Sequence, residues 1–357
     1  MYLQLENTDI YLAPANQVLL SKYTHLSNKQ LFVLVDSNTK KHCWPLLKEA
    51  SLLNNAEIIE MGVGEKAKSI DTVMHVWKKL THAHAHRGCV LLNLGGGVVG
   101  DLGGFAASSY KRGVQFIQVP TTLLSMVDAS VGGKTGVNFE GLKNQIGSFT
   151  EPISVIIDPM FLRTLDKRHL LSGWAEMLKH ALLQGPDDFY LLAQKPPEQL
   201  TFKELSQLIA RSVRIKQQVV EADPKEKGKR KILNLGHTVG HAIESLAMQL
   251  NQSVLHGEAV AYGLAIELII AREVLQLDAA FVDEVVNYVL KLYKLPFASF
   301  NKKELVGKML HDKKNAQGKL LFALLNRESL PQHDVCVSEL IVKQALDEFT
   351  NRWRSFT

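Results

Sequence analysis

Cysteine is scarce in this chain: 357 residues hold three, Cys43, Cys89 and Cys336, far apart and odd in number. That excludes a disulfide framework, and the absence of any C-x-x-C pair leaves a thiolate metal site unsupported. Charge of one sign is also lacking. The 41 Lys+Arg and 36 Asp+Glu leave a formal net charge of +5, dispersed along the sequence. So weak a surplus argues against a nucleic-acid partner and suits, at most, a pocket for an anionic small molecule. No run is long enough to cross a bilayer: the best, Ala259–Ala271, is too short and contains Glu267. The opening MYLQLENTDIYL has an early acid and no apolar stretch, unlike a signal peptide. No membrane partner is expected, and the expected setting is a reducing cytoplasm.

What the chain does have is an ordinary globular balance, 46% apolar and 22% charged, over a length that suits two domains. The first half alternates short β-branched runs with helical spacing. Leu31–Asp36, Ala56–Gly62, Cys89–Gly97, Val114–Pro120 and Ile153–Pro159 read as buried strands, and Asp71–Leu80 as a helix between them. This pattern predicts an α/β domain with a doubly wound, mostly parallel sheet over 1–160. From 161 to 357 long amphipathic segments dominate: 169–183, 202–220, 238–250, 258–275, 280–292 and 338–352. Only Lys319–Leu325 looks like a strand there, so the second domain is expected to be mainly helical.

Gly95, Gly97 and Gly100 in GGGVVGD fit G-x-G-x-x-G at a strand-to-helix junction, where missing side chains admit a diphosphate. The acid that should end the next strand is missing, since that strand closes as Phe116-Ile117-Gln118-Val119. A tight turn therefore remains as good a reading as a nucleotide site. Asp36, ending an earlier strand, suits either a ribose hydroxyl, which would favour NAD, or a turn. SVGGKTG is not a P-loop, because Asp128 stands where glycine is required. It leaves Lys134 in a glycine-rich loop, with Lys143 and Asn144 close by in sequence, a combination that can hold an anion.

HTVGH places His237 and His241 on one helical face. Such a pair is often structural. His256 at the start of the next helical segment and Glu176 on an earlier one complete a Glu-His-His set, which suits a catalytic Zn²⁺ with an open position. The alternating His82, His84 and His86 have no acid beside them and read as a solvated helix end. The run Glu221–Lys231 reads by default as a solvated, charged turn.

Taken together, GGGVVGDLGGF, YKRG, VPTTLLSMVDASVGGKTGVN, KNQIGSF, GWAEMLKH, LNLGHTVGHAIE and LHGEAVAYG resemble the 3-dehydroquinate synthase family, in order, from about Asp36 to Asn315. The resemblance implies an NAD-binding α/β domain followed by a helical metal-binding domain. NAD would be held by Asp36, Glu65, Lys68, Gly96, Gly97, Asp101, Thr121, Thr122, Lys143 and Thr164. Zn²⁺, with Co²⁺ as a substitute, would sit on Glu176, His237 and His256. Asp128, Lys134, Lys216, Glu226, Arg230, Asn234 and His241 would take catalytic roles, with acid–base work at Glu226 and His241. Asn144, Lys179, Lys313 and Arg112 would bind the sugar-phosphate substrate, Arg112 reaching in from the partner of a homodimer. The implied reaction turns 3-deoxy-D-arabino-heptulosonate 7-phosphate into 3-dehydroquinate and phosphate. Two local wordings depart from the family pattern: Pro224-Lys225 after Asp223, and GWAEMLKHAL in place of AE-x-IKYG. Neither removes a residue with an implied role. The rival readings are another sugar-phosphate cyclase and a metal-dependent polyol dehydrogenase of related fold.

Overall fold

The computed structural model describes residues 2–5, 8–140, 142–294, 301–310 and 320–356. The chain divides into two compact units, Met1–Asp166 with Thr201–Gln217, and Lys167–Leu200 with Gln218–Thr357.

The first unit is built on a seven-stranded sheet. Its strands are β1 (Tyr2–Leu5), β2 (Thr8–Leu12), β3 (Leu31–Asp36), β4 (Glu57–Met61), β5 (Val90–Gly95), β6 (Gln115–Pro120) and, after a separate hairpin of β7 (Lys134–Phe139) and β8 (Leu142–Phe149), β9 (Ser154–Ile157). They lie in the order β1-β2-β9-β6-β5-β3-β4, parallel except for β1 against β2. All five strands expected from the sequence are present. β5 and β9 are buried along their whole length and β3 along all but its last residue, which is why they read as unbroken apolar runs. β4, at the edge, exposes part of its length. The β1–β2 and β7–β8 pairs went unread. β8 has no apolar period, being mostly exposed, so nothing in its sequence marks a strand.

Strand order decides where a ligand can bind. From β3 the chain moves outward to β4, then returns past β3 to lay down β5, β6 and β9 in the other direction. The crevice between the carboxyl ends of β3 and β5 is thus the topological switch point, the place where open parallel sheets take ligands. Asp36 ends β3 and Gly95 ends β5.

The second unit is helical. The His256–Leu275 helix is buried without a break from Gly257 to Ala271, as an all-round apolar helix must be. It packs on the Lys167–Gln184, His237–Gln249, Ala279–Leu292 and Glu339–Phe356 helices. None of the described helices is long and apolar enough to cross a membrane. β10 (Leu320–Leu325) is the expected strand, and it has an unforeseen antiparallel partner, β11 (Pro331–Val337). The partner is largely exposed and polar, so it lacked the apolar run that betrays a strand.

Two glycines let the central helix come close to its neighbours. A Cβ at Gly257 would lie 1.8 Å from the Ser172 carbonyl oxygen, and one at Gly263 1.9 Å from that of Gly236. Backbone cannot yield there as a side chain can. Gly263→Ala is therefore expected to cost about 1–3 kcal/mol of stability. Gly307→Ala, in the Lys302–Leu310 helix where an added Cβ meets nothing within 4 Å, should instead gain about 0.5–1 kcal/mol. Thermal unfolding of both variants checks the pair, and a Gly263→Ala midpoint at or above that of the wild type would contradict the close-packing account.

Candidate active site

Each unit carries one cluster of chemically capable residues. In the first, the turn from β5 into the Gly97–Ser109 helix is capped by Gly96, and no acid stands in the helix's first turn. Its unpaired N–H groups and positive dipole end face the switch point, an arrangement that attracts a diphosphate. A small concavity opens beside it, lined by Gly95, Gly96, Gly97, Asp101, Gln118 and Ser125 among others. Thr121 and Thr122 follow β6 on this same edge. Thr121 N–H donates to Gly95 O at 3.0 Å, and the Thr122 and Ser125 hydroxyls pair at 2.9 Å. Thr164, in the turn after β9, is also on this edge.

Asp36 takes the turn role that one of its two readings gave it. One carboxylate oxygen accepts Thr39 N–H at 2.8 Å and caps the short Ser37–His42 helix. The same residue stands at the switch point, beside the glycine turn in sheet order. The missing acid after β6 has a structural explanation: Gln118 fills that place, donating to Gly100 O at 3.0 Å, and the strand that adjoins the turn with an acid at its end is β3.

Lys68 is buried and ties this cluster together. Its Nζ donates to Asp101 Oδ2 at 2.6 Å and to Asn144 Oδ1 at 2.5 Å. Asn138, unassigned from sequence, donates to Glu65 Oε1 at 2.8 Å and accepts Asn144 N–H at 2.9 Å. Burial pushes the Asp101 carboxyl above its usual value against the pull of Lys68. Residues expected to hold the cofactor (Glu65, Lys68, Asp101) and one expected to hold substrate (Asn144) thus share one network. Lys143 precedes Asn144 on exposed β8, and Lys134 opens β7. Lys216 Nζ contacts Asp128, 2.8 Å from Oδ1, and Asp128 sits in a π-turn at Ser125–Ala129, a local geometry common at functional sites. Arg112 lies in the turn that leads from the Gly97–Ser109 helix into β6, at the opposite end of the sheet from the glycine turn.

In the second unit Glu176, His237 and His256 converge from three helices. Their ligand atoms lie within 4.8 Å of one another, and each histidine Nε2 is 3.4 Å from Glu176 Oε1. Two metal bonds of ~2.1 Å meeting at a tetrahedral angle place their donor atoms about 3.4 Å apart, so the residues present fit a zinc-like ion. The tautomers fit as well. His237 Nδ1 is 3.1 Å from Leu235 O, and His256 Nδ1 is 3.1 Å from Glu244 Oε2. Both partners only accept, so each Nδ1 carries the proton and each Nε2 lone pair is turned toward the ion's place. Burial, with Lys179 nearby, holds His237 well below the usual histidine range. Burial alone would lower His256 too, but the Glu244 and Glu176 carboxylates outweigh it and raise it to about 10. An entering cation therefore displaces a proton.

Around the triad, Lys179 Nζ contacts Glu176 one turn earlier on its helix, and the His241 ring lies 5.2 Å from that of His237. The expected solvated turn at Glu221–Lys231 is only partly that. Asp223 accepts N–H bonds from Lys227, Gly228 and Arg230 and shapes the turn. Arg230 is buried, donating to Pro224 O at 2.6 Å, and Asn234 Nδ2 is 3.3 Å from Glu226 Oε1. His82, His84 and His86 lie exposed around the end of the Ile70–His82 helix, as expected of a solvated segment. Lys313 falls outside the described residues.

Sequence reading missed the groups that hold this site in shape. Glu267 is fully buried and accepts Gly236 N–H at 2.6 Å and Val239 N–H at 2.9 Å, capping the helix that His237 opens. Arg168 grips Glu258 with two bonds of 2.6 and 2.8 Å, tying the Glu176 helix to the start of the His256 helix. Glu244 alone had left a signal: it lies seven residues after His237, hence on the same helical face.

Residues 58–172 match the family model described as 3-dehydroquinate synthase N-terminal, and residues 173–315 the one described as 3-dehydroquinate synthase C-terminal. Over 330 residues the chain is 40% identical to the 3-dehydroquinate synthase of Parabacteroides distasonis, covering 92% of each. Among solved structures it is similar to 2-epi-5-epi-valiolone synthase from Streptomyces hygroscopicus with NAD⁺ and Zn²⁺ bound (TM-score 0.83, 25% identity, 98% of both chains). It shares the fold of 2-deoxy-scyllo-inosose synthase complexed with carbaglucose-6-phosphate, NAD⁺ and Co²⁺ (TM-score 0.84, 24% identity, 98% of this chain and 99% of the other).

The Glu267 cap yields a direct test. Glu267→Gln replaces one of two accepting oxygens by a donor facing an N–H. A buried donor left unmatched costs about 1–3 kcal/mol. The denaturant midpoint should fall accordingly, and an unchanged midpoint would show that the carboxylate does not hold the helix.

Proposed function

The chain belongs to the 3-dehydroquinate synthase family, and on that premise we propose that it converts 3-deoxy-D-arabino-heptulosonate 7-phosphate into 3-dehydroquinate and phosphate. The reaction class is a carbon–oxygen lyase, a phosphate-eliminating cyclase dependent on NAD and a divalent metal, acting as a cytoplasmic homodimer. One observation carries this reading: the two family models match back to back, the first over the glycine turn after β5 and the second over Glu176, His237 and His256.

When bound, NAD supplies a transient hydride acceptor and Zn²⁺ or Co²⁺ a Lewis acid for substrate hydroxyls. Glu176, His237 and His256 would hold the metal, and Asp36, Glu65, Lys68, Gly96, Gly97, Asp101, Thr121, Thr122, Lys143 and Thr164 the cofactor. Binding and proton transfer belong to the protein's other residues. Lys134, Asn144 and Lys216 in the first unit, and Lys179, Arg230 and Asn234 in the second, supply ammonium, guanidinium and amide donors suited to a phosphate and a carboxylate. Lys313 and Arg112 of the partner subunit would add to them. Asp128 holds Lys216 in place. His241 and Glu226 would share the acid–base work that the loss of the substrate's C5 hydroxyl proton requires. Loss of the C6 proton then lets phosphate leave C7, and the opened chain closes on itself to give the carbocycle with no net oxidation.

The test is phosphate release from 3-deoxy-D-arabino-heptulosonate 7-phosphate, with NADH absorbance followed in parallel. Stoichiometric phosphate, catalytic NAD and no lasting NADH are expected. Accumulating NADH with phosphate retained would indicate a polyol dehydrogenase, and turnover of sedoheptulose 7-phosphate or glucose 6-phosphate instead would indicate another sugar-phosphate cyclase. Loss of a Lewis acid worth several kcal/mol in the transition state should make Glu176→Ala at least about 10³-fold slower, with its helix intact by circular dichroism. Lys134→Ala should lower kcat/KM by about 10–100-fold, the worth of one charged hydrogen bond. An unchanged value would remove Lys134 from the site.

A further inference from the structure

The three metal-binding side chains do not orient themselves. His237 is turned by a backbone carbonyl, Leu235 O, whereas His256 is turned by a side chain, Glu244, whose Oε2 lies 3.1 Å from His256 Nδ1. Glu244 is buried, 7% exposed, on the helix that also bears His237. A carboxylate is expensive to bury unless it is paired, which requires a compensating partner at this place. A carboxylate also can only accept, so the contact puts the proton on Nδ1 and turns the Nε2 lone pair toward Glu176 Oε1, 3.4 Å away.

We propose that Glu244 is a positioning residue of the metal site: it fixes the tautomer and ring orientation of His256 and strengthens Nε2 as a donor. The proposal rests on the metal reading above and extends it to a residue that ligates nothing. A carboxylate behind a ligating imidazole is worth about 10–100-fold in metal affinity. The placement also links two ligands, since one helix carries His237 and, two turns on, the group that orients His256. A competing arrangement is visible as well. His241, Glu244 and His256 themselves have ligand atoms within 4.8 Å of one another, a grouping in which Glu244 would bind a second ion directly.

Zn²⁺ affinity, measured by chelator competition on the metal-stripped full chain, separates these cases. Wild type should bind one ion per chain. Glu244→Ala should bind it about 10–100-fold more weakly. Glu244→Gln, which keeps an accepting oxygen and loses the charge, should weaken it by about 3–10-fold. In ¹⁵N-histidine-labelled, Zn²⁺-loaded protein, the His256 Nδ1–H proton should resonate far downfield and exchange slowly with solvent in wild type, less so in Glu244→Gln, and lose both properties in Glu244→Ala. A merely structural role would lower the unfolding midpoint without changing that resonance or the Zn²⁺ affinity. Unchanged affinity in both variants, or in Glu244→Gln alone where alanine prevents folding, overturns the proposal. Two ions per chain, one of them lost on substituting Glu244, overturns it in favour of a ligand role. A wild-type chain that takes up no Zn²⁺ removes the metal reading and the proposal with it, an outcome distinct from tight wild-type binding that Glu244 does not influence.

Discussion

Near contact of backbones along the His256–Leu275 helix is the constraint on which the second unit depends. Gly257 lets this helix approach the carbonyl of Ser172, and Gly263 lets it approach that of Gly236. Those contacts sit beside the Glu-His-His set: Ser172 is one turn before Glu176, Gly236 immediately precedes His237, and Gly257 immediately follows His256. A methyl group at either glycine would separate helices whose donor atoms stand 3.4 Å apart. Close packing and metal geometry are therefore one requirement. Interiors this dense do not yield by fractions of an ångström without cost.

Four buried glutamates surround that junction. Glu176 faces the two histidines and Lys179; Glu244 holds His256; Glu258 is gripped by Arg168; Glu267 caps the His237 helix. Buried carboxylates cost free energy unless they are hydrogen-bonded or paired. Here the pairing does geometric work. Every one of these acids joins an element that bears Glu176, His237 or His256 to another part of the unit, so polar groups hold the cluster that the central helix packs around.

The first unit solves a different problem with strand order. A diphosphate needs free N–H groups and room to approach, which Gly95–Gly97 supply. A ribose needs an acid, which the following strand lacks. Because β3 lies next to β5 in the sheet, Asp36, from about sixty residues earlier in the chain, stands next to the glycine turn. The same edge gathers Thr121, Thr122 and the Lys68–Asp101–Asn144 network, so a modest sequence motif becomes a site only through the residues the sheet brings to it.

The sequence by itself determined the strands β3, β4, β5, β6 and β9 and the long helices of the second half, because each has a local signature, a β-branched run or a 3.6-residue period; the His237 and His241 pair, four apart, drew attention to the helices that also bring Glu176 and His256 to His237. Family motifs supplied the implied roles of Arg230 and Asn234, which carry no local signature of their own. Polar, exposed elements such as β8 and β11 were silent, since hydrophobic period is what announces a strand and they have none. Glu267 read only as the charge that interrupts an apolar run, and Arg168 drew no reading at all. Only the tertiary structure decided their work, because each acts on a partner far away in sequence, and a hydrogen bond between distant residues leaves no periodicity in either segment that makes it.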